Sequence, residues 1–434
     1  MKIAVVGLWH LGCVTAACLA KFGHTVLAFD ENPQTISNLK LGIPPLYEPG
    51  LSELIHEGIK NNLLNFINIP DALKGLDIIW ITYDTSIDDL GQSNVDEIKE
   101  RLKRLFPYFN HNSLVIISSQ VPVGTTQELK NIFLRENSEK NIDFVYSPEN
   151  LRLGKSIDLF LQPDRIVMGI RSEQTQRIIK KLLKPIADKI LWMSVESAEM
   201  TKHAINAFLS TSIVFINELA VLCESFGADA NSVAQGLKTD IRIGPNAYLT
   251  PGGAFSGGTL ARDVHYLKQM SETCNSESNF FQTILFSNLQ HKNWIKKIIN
   301  KTHLELKGKK VAILGLAYKP GTDSLRNSSA VEISLWLKKQ GSIIHAYDPA
   351  IKELSAELKK IICLQPDLEN TVYGADAIII GTECKEFLNI RIEQLATESK
   401  MPYLFDVSGF LSKQLENRDY IKYFRLGCFN EVIK

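Results

Sequence analysis

The chain alternates short, almost wholly apolar runs with helix-length amphipathic stretches. Lys2–Val6, His24–Asp30, Asp77–Tyr83, Ser113–Gln120, Asp143–Ser147, Arg165–Gly169 and Ile190–Ser194 are such runs, rich in Val and Ile. Continuous apolar runs separated by helical segments are the pattern of a parallel sheet with crossover helices. From Ser197 to about Gly227 the pattern predicts one long helix, and helix-compatible sequence continues to about Lys301. Strands resume at Val311, Ile343–Asp348, Ala377–Gly381 and Tyr403–Val407. The expectation is an α/β chain in three parts: an α/β domain at 1–196, a central helical region at 197–301 and a second α/β domain at 302–434, with 302–309 as the linker. No repeat shorter than a domain and no low-complexity segment interrupts it.

Two of the strand runs break into glycine turns, Lys2-Ile-Ala-Val-Val-Gly-Leu-Trp-His-Leu-Gly12 and Lys310-Val-Ala-Ile-Leu-Gly-Leu-Ala-Tyr-Lys-Pro320. A strand that turns through glycine into a helix N-terminus holds phosphates in α/β sheets, because free N–H groups and the helix dipole favour an anion. Two such units predict two Rossmann-like doubly wound parallel-sheet domains and two nucleotide-shaped ligands. The first turn, Gly7-Leu8-Trp9-His10-Leu11-Gly12, keeps only the outer glycines of GxGxxG, and Trp9 stands where the second glycine admits the pyrophosphate. Asp30 ends the next strand run, where a carboxylate accepts hydrogen bonds from both ribose hydroxyls and repels a 2′-phosphate. NAD is therefore expected over NADP.

Composition narrows the partners. The 434 residues suffice for two or three domains, and a hydrophobic content of 45% fills their cores. Lys plus Arg and Asp plus Glu number 48 each, so no overall positive field draws nucleic acid or a membrane surface, and a small-molecule partner is expected. Met1 leads directly into a strand run, which argues against export and for a cytoplasmic enzyme. Ala207–Leu222 is apolar but interrupted by Asn217 and Glu218, as in a buried helix rather than a membrane span. The seven cysteines show no CxxC and no metal spacing, which predicts free thiols and no metal.

Several longer motifs occur in one order: Leu46-Tyr-Glu-Pro-Gly-Leu51, Ser147-Pro-Glu-Asn-Leu-Arg-Leu-Gly154, Pro163-Asp-Arg-Ile-Val167, Ala198-Glu-Met-Thr-Lys-His-Ala-Ile-Asn206, Asn217-Glu218, Asp240-Ile-Arg-Ile-Gly-Pro245 and Gly315-Leu-Ala-Tyr-Lys-Pro-Gly-Thr-Asp323. Through them the chain resembles the UDP-glucose/GDP-mannose dehydrogenases over nearly its whole length. The resemblance implies a homodimer with an N-terminal NAD domain, a central dimerising helix region and a C-terminal domain for the nucleotide of the sugar substrate. It also implies oxidation of the sugar C6 alcohol, in the family carried through twice with two NAD molecules and a thioester on a cysteine in a GFGGSCFPKD-like loop. Here that loop reads Ala254-Phe-Ser-Gly-Gly-Thr-Leu-Ala-Arg-Asp263, with Thr259 at the cysteine position and Arg262 at the lysine position. A neutral threonine hydroxyl is a far poorer nucleophile than a thiolate.

The rest of the implied catalytic set is present. Lys202 and Asn206, four residues apart, share a helix face and would hold the C6 oxygen, while Glu149 and Asp263 would act with water as acid and base. Taken singly, each has a bland alternative as a solvated lysine, a packing asparagine or a surface carboxylate; their motifs favour the catalytic reading. The resemblance places Gly7, Trp9, His10, Leu11, Gly12, Asp30, Tyr83, Gln120 and Arg326 at the cofactor, with Arg326 equally readable as a surface partner of Asp323. Tyr83-Asp84 and Gln120 depart from the family's Thr-Pro and threonine. Lys319, Arg242, Tyr248 and Gly257 are the implied substrate contacts, Lys319 at the nucleotide phosphates and Arg242 at the partner subunit's sugar site. Three functions follow: an NAD-dependent dehydrogenase of a UDP-hexose that stops at the aldehyde or reaches the acid through a hydrate, a redox-neutral nucleotide-sugar epimerase, and a non-catalytic nucleotide-sugar-binding relative. The first is favoured because Lys202, Asn206 and Asp263 are all retained.

Overall fold

The computed structural model describes residues 1–85, 94–149, 151–390, 401–415 and 421–428, in two compact units, Met1–Ala204 and Ile205–Lys434. The first unit holds eight strands: β1 (Lys2–Val6), β2 (Thr25–Phe29), β3 (Leu64–Ile67), β4 (Ile78–Ile81), β5 (Leu114–Ile117), β6 (Asp143–Tyr146), β7 (Ile166–Gly169) and β8 (Ile190–Met193). Their order is β3-β2-β1-β4-β5-β6-β7-β8. Chain order therefore reverses between β1 and β4, the switch point at whose carboxyl edge open α/β sheets bind ligands. Side chains alternate across the sheet: Ile3 and Val5 join one buried cluster, Ala4 and Val6 another on the opposite face.

One join differs from the all-parallel expectation, since β6 and β7 pair antiparallel at Tyr146 and Gly169. An antiparallel connection need not cross to the far edge of the sheet. Residues 147–165, which carry Glu149, thus emerge and stay at the carboxyl edge.

The second unit contains six parallel strands: β9 (Lys310–Leu314), β10 (Ile343–Tyr347), β11 (Ile362–Leu364), β12 (Ala377–Ile380), β13 (Tyr403–Phe405) and β14 (Lys422–Phe424), ordered β11-β10-β9-β12-β13-β14. The doubly wound arrangement of the first unit is repeated. Val311 and Ile313 face one cluster and Ala312 and Leu314 the other. The strands missing from the sequence pattern, β3, β11 and β14, are only three or four residues long.

Helix Val195–Phe226 has 32 residues and begins in the first unit and ends in the second. Among the described residues it alone is long and apolar enough to cross a membrane by length and composition, with 39% of its most apolar stretch buried. Its polar residues are used inside the second unit: Asn217 Oδ1 accepts from Gly252 N at 3.0 Å, Glu218 accepts from Ser287 Oγ, and Glu224 accepts from Trp294 Nε1 at 2.8 Å. Such bonds belong to a helix packed in a protein core.

Candidate functional site

In the first unit the site starts at the turn after β1. Gly7 has φ +94°, and a Cβ there would lie 2.5 Å from the Tyr83 ring, so only glycine fits. A Cβ on Gly12 would collide with the Gly7 carbonyl. Helix His10–Lys21 follows at once, with Trp9 as an N-cap that makes no side-chain cap bond. Leu11 and the buried Gly12 lie in its first turn, and Trp9 remains 47% exposed. Asp30 lies beside the turn: one carboxylate oxygen accepts from Leu8 N at 2.8 Å, the other from Asn32 N at 2.9 Å. The tight turn, the uncapped helix start and the adjoining carboxylate together fit a dinucleotide.

The neighbouring candidates take less direct positions. Tyr83 is buried beneath Gly7. Gln120 is buried in the loop after β5, and its carbonyl accepts from Thr85 Oγ1 at 2.7 Å. His10 turns to Glu48, with Nε2 and Oε2 2.8 Å apart.

Glu48 was not legible as a functional position, yet it joins two loops of this edge. Besides His10 it accepts from Gly154 N and Ser156 N, each at 2.8 Å. Burial alone would raise its carboxyl, but these N–H donors and His10 outweigh burial and hold it below the ordinary carboxylate range. A carboxylate depressed in the folded state adds stability that is present above its unfolded value and lost as pH falls through the folded one. Glu48→Gln should therefore cost about 1–3 kcal/mol at neutral pH. Thermal melts of the two proteins should converge as pH drops below the ordinary carboxylate range; equal melting at neutral pH would refute the role.

Lys202 and Glu149 form the chemical core of this unit. Lys202 Nζ donates to the Glu149 carbonyl at 2.6 Å and sits 3.2 Å from Glu149 Oε1, with the lysine side chain 8% exposed. Leu151 N orients the other carboxylate oxygen at 2.9 Å. One turn earlier on the helix, the fully buried Glu199 accepts from Gly124 N at 2.7 Å and Thr126 N at 2.9 Å. Burial pushes the Glu199 carboxyl up against the lowering effect of those bonds. Glu199 thereby fixes the helix segment that carries Lys202 to the start of helix Thr125–Glu136.

In the second unit Asn206 Nδ2 donates to Asp263 Oδ2, and both residues are buried. Asp263 lies on helix Thr259–Thr273, whose first residue is the exposed Thr259 and whose N-cap is Gly258. That 15-residue helix spans about 22 Å at 1.5 Å per residue. Cys274 caps its far end and so cannot stand in for a thiol at Thr259. Thr259 lines a cavity of about 540 Å³ together with Tyr248, Phe255, Tyr318 and Lys319, and no cysteine is among the described residues around it. Gly257, at φ +74°, lets the Tyr318 ring approach; a Cβ there would meet the ring at 2.8 Å. Lys319 Nζ lies 5.6 Å from the centre of the same ring.

Two expectations are corrected here. The second glycine turn does not open into a helix: the next one begins at Ser329, capped by Ser328. The N–H groups of Leu316 and Ala317 are also taken, donating to buried Asp348 at 2.7 and 2.9 Å. A carboxylate already satisfies the donors a phosphate would need, so this turn is not a phosphate cradle of the kind in the first unit. Arg326 lies on the exposed loop beyond it. Arg242 is also outside the cavity, 85% exposed and paired with Asp240 at 2.6 Å.

Comparison with known proteins agrees with this layout. Residues 1–187, 196–290 and 312–413 match sequence models of the NAD-binding, central and UDP-binding domains of the UDP-glucose/GDP-mannose dehydrogenase family. UDP-glucose 6-dehydrogenase TuaD of Bacillus subtilis is 32% identical over 424 residues, covering 97% of this chain and 92% of that protein. A UDP-glucose 6-dehydrogenase of Rickettsia typhi is 30% identical over 435 residues, 98% and 99% of the two chains. The solved UDP-glucose dehydrogenase of Pyrobaculum islandicum superposes with a TM-score of 0.87 at 25% identity, covering 100% of this chain and 97% of its own.

Proposed function

The chain belongs to the UDP-glucose/GDP-mannose dehydrogenase family, and from that premise we propose that it oxidises the C6 alcohol of a UDP-hexose with NAD and releases the aldehyde. NAD-dependent oxidation of a nucleotide sugar is the family's activity, and the first unit carries the glycine turn and Asp30 that suit this cofactor. NAD supplies the hydride acceptor. The chain's own residues do the remaining work. Lys202, fixed by Glu149, stabilises negative charge on the C6 oxygen as hydride leaves, and Glu149 passes the hydroxyl proton to water. Asn206, held by Asp263, donates to the same oxygen. Lys319, Tyr248 and Gly257 receive the nucleotide end of the substrate at their cavity.

The observation that carries release at the aldehyde is the cavity around Thr259, which has no cysteine among its described residues. Without a thiolate no thiohemiacetal forms, and the aldehyde has no covalent tether for a second hydride transfer. Incubation with NAD and a panel of UDP- and GDP-sugars, followed by mass analysis, tests the reading. The expected product is lighter than its substrate by two hydrogens; an unchanged mass across the panel would contradict it.

The assembly we propose is a cytoplasmic homodimer. Phe208, Phe215 and Leu222 are exposed at seven-residue spacing on the long helix, with Phe226 beyond them. A stripe of this kind suits burial against a second copy, and in that dimer Arg242 would reach the partner's sugar site. NAD should bind more tightly than NADP because Asp30 faces the adenosine ribose, and Asp30→Ala should narrow the ratio of dissociation constants by about tenfold or more. Equal binding of the two cofactors by the unmodified protein would remove Asp30 from this role.

A further inference from the structure

Beside the ribose carboxylate lies a side chain that neither the motifs nor the proposed mechanism uses. Arg101, on helix Val95–Leu105, places its guanidinium 4.1 Å from the centre of the Tyr83 ring. Its Nε lies 3.3 Å from Glu31 Oε2 and its Nη1 3.9 Å from Glu97 Oε1, and the side chain keeps 25% of its exposure. Both main anchors belong to the dinucleotide edge. Glu31 follows Asp30 directly, and the ring of Tyr83, just beyond β4, lies under Gly7. Strands β2 and β4 flank β1, so Arg101 stands where the adenosine half of a dinucleotide crosses the end of the sheet.

We infer that Arg101 is a cofactor-binding residue whose guanidinium stacks on the adenine of NAD, completing a Tyr83, Arg101, adenine sandwich. A guanidinium is planar, weakly hydrated and suited to lie flat between two π systems. With one face on Tyr83 and one edge on Glu31, it is held in that plane before the cofactor arrives, which reduces the entropy lost on binding. Glu31 also offsets its charge next to Asp30, so Arg101 favours the adenine face without attracting a 2′-phosphate.

The inference rests on the NAD reading, and the test separates the two. Calorimetric titration of the full-length protein with ADP-ribose, which carries the adenine but no nicotinamide, is compared with titration by UDP. Arg101→Leu should weaken ADP-ribose about tenfold, as expected for loss of a stacked cation, and leave UDP unchanged. Arg101→Lys keeps the charge and the stem but not the plane, and should stay at least about fivefold weak. Unchanged ADP-ribose binding in Arg101→Leu, an equal loss of UDP binding, or full recovery in Arg101→Lys would each overturn the inference. Should Arg101→Leu fail to fold, the Arg101→Lys result decides alone. An unmodified protein that binds no ADP-ribose would instead refute the NAD reading.

Discussion

Replacing Lys202 with Ala should lower kcat by about 10²–10⁴-fold, the usual contribution of a positioned acid–base group, while nucleotide-sugar affinity stays near that of the unmodified protein. The lysine acts on charge that develops only as C6 is oxidised, so its loss should fall on the chemical step rather than on ground-state binding. Its surroundings fit that role: an ammonium 6% exposed, bonded to the Glu149 carbonyl and beside the Glu149 carboxylate, is paired and fixed before substrate arrives. Asn206→Ala should lose roughly 2.7–4 kcal/mol of transition-state stabilisation, the range for one oxyanion donor. Steady-state kinetics with parallel calorimetry separate the two effects. Full activity in Lys202→Ala would place the reaction elsewhere.

The second large effect is expected at position 259. Thr259→Ala should change turnover little, because the hydroxyl has no nucleophilic part in a reaction that ends at the aldehyde. Thr259→Cys should create covalent capture: the new thiol would sit at the N-terminus of helix Thr259–Thr273, a position that lowers a thiol's pKa and raises its thiolate fraction. Thiolate addition to the aldehyde gives a thiohemiacetal; loss of a second hydride gives a thioester, and water releases the acid. Intact-protein mass analysis under substrate and NAD should show an adduct in Thr259→Cys and none in the unmodified protein. A large loss in Thr259→Ala would give the hydroxyl a catalytic part.

Much of the fold could be read from the chain because parallel strands buried on both faces leave continuous apolar runs. β1, β4 and β9 stand out for this reason, whereas β3, β11 and β14 are too short to be separated from loops. The dinucleotide turn was legible because its elements are local: Gly7, Gly12 and the following strand-end Asp30. Contacts distant in sequence left no such signal. Glu48 meets Ser156 across 108 positions and Glu199 meets Gly124 across 75, and neither pairing has a spacing rule. The second glycine turn misled for a related reason: its sequence matches the first, but Asp348 consumes its N–H donors. Arg101 was overlooked because its stacking on Tyr83 arises only once β4 and helix Val95–Leu105 have packed together. The redox-neutral alternative gains nothing from the relatives described above, which are dehydrogenases.

The most direct measurement is the ratio of NADH formed to UDP-hexose consumed at completion, with the product identified by mass. Release at the aldehyde predicts one NADH per sugar and a product lighter by two hydrogens. A clean ratio of two, with a uronic acid as product, would contradict it and require a route to the acid through a hydrated aldehyde served by Asp263 and Glu149.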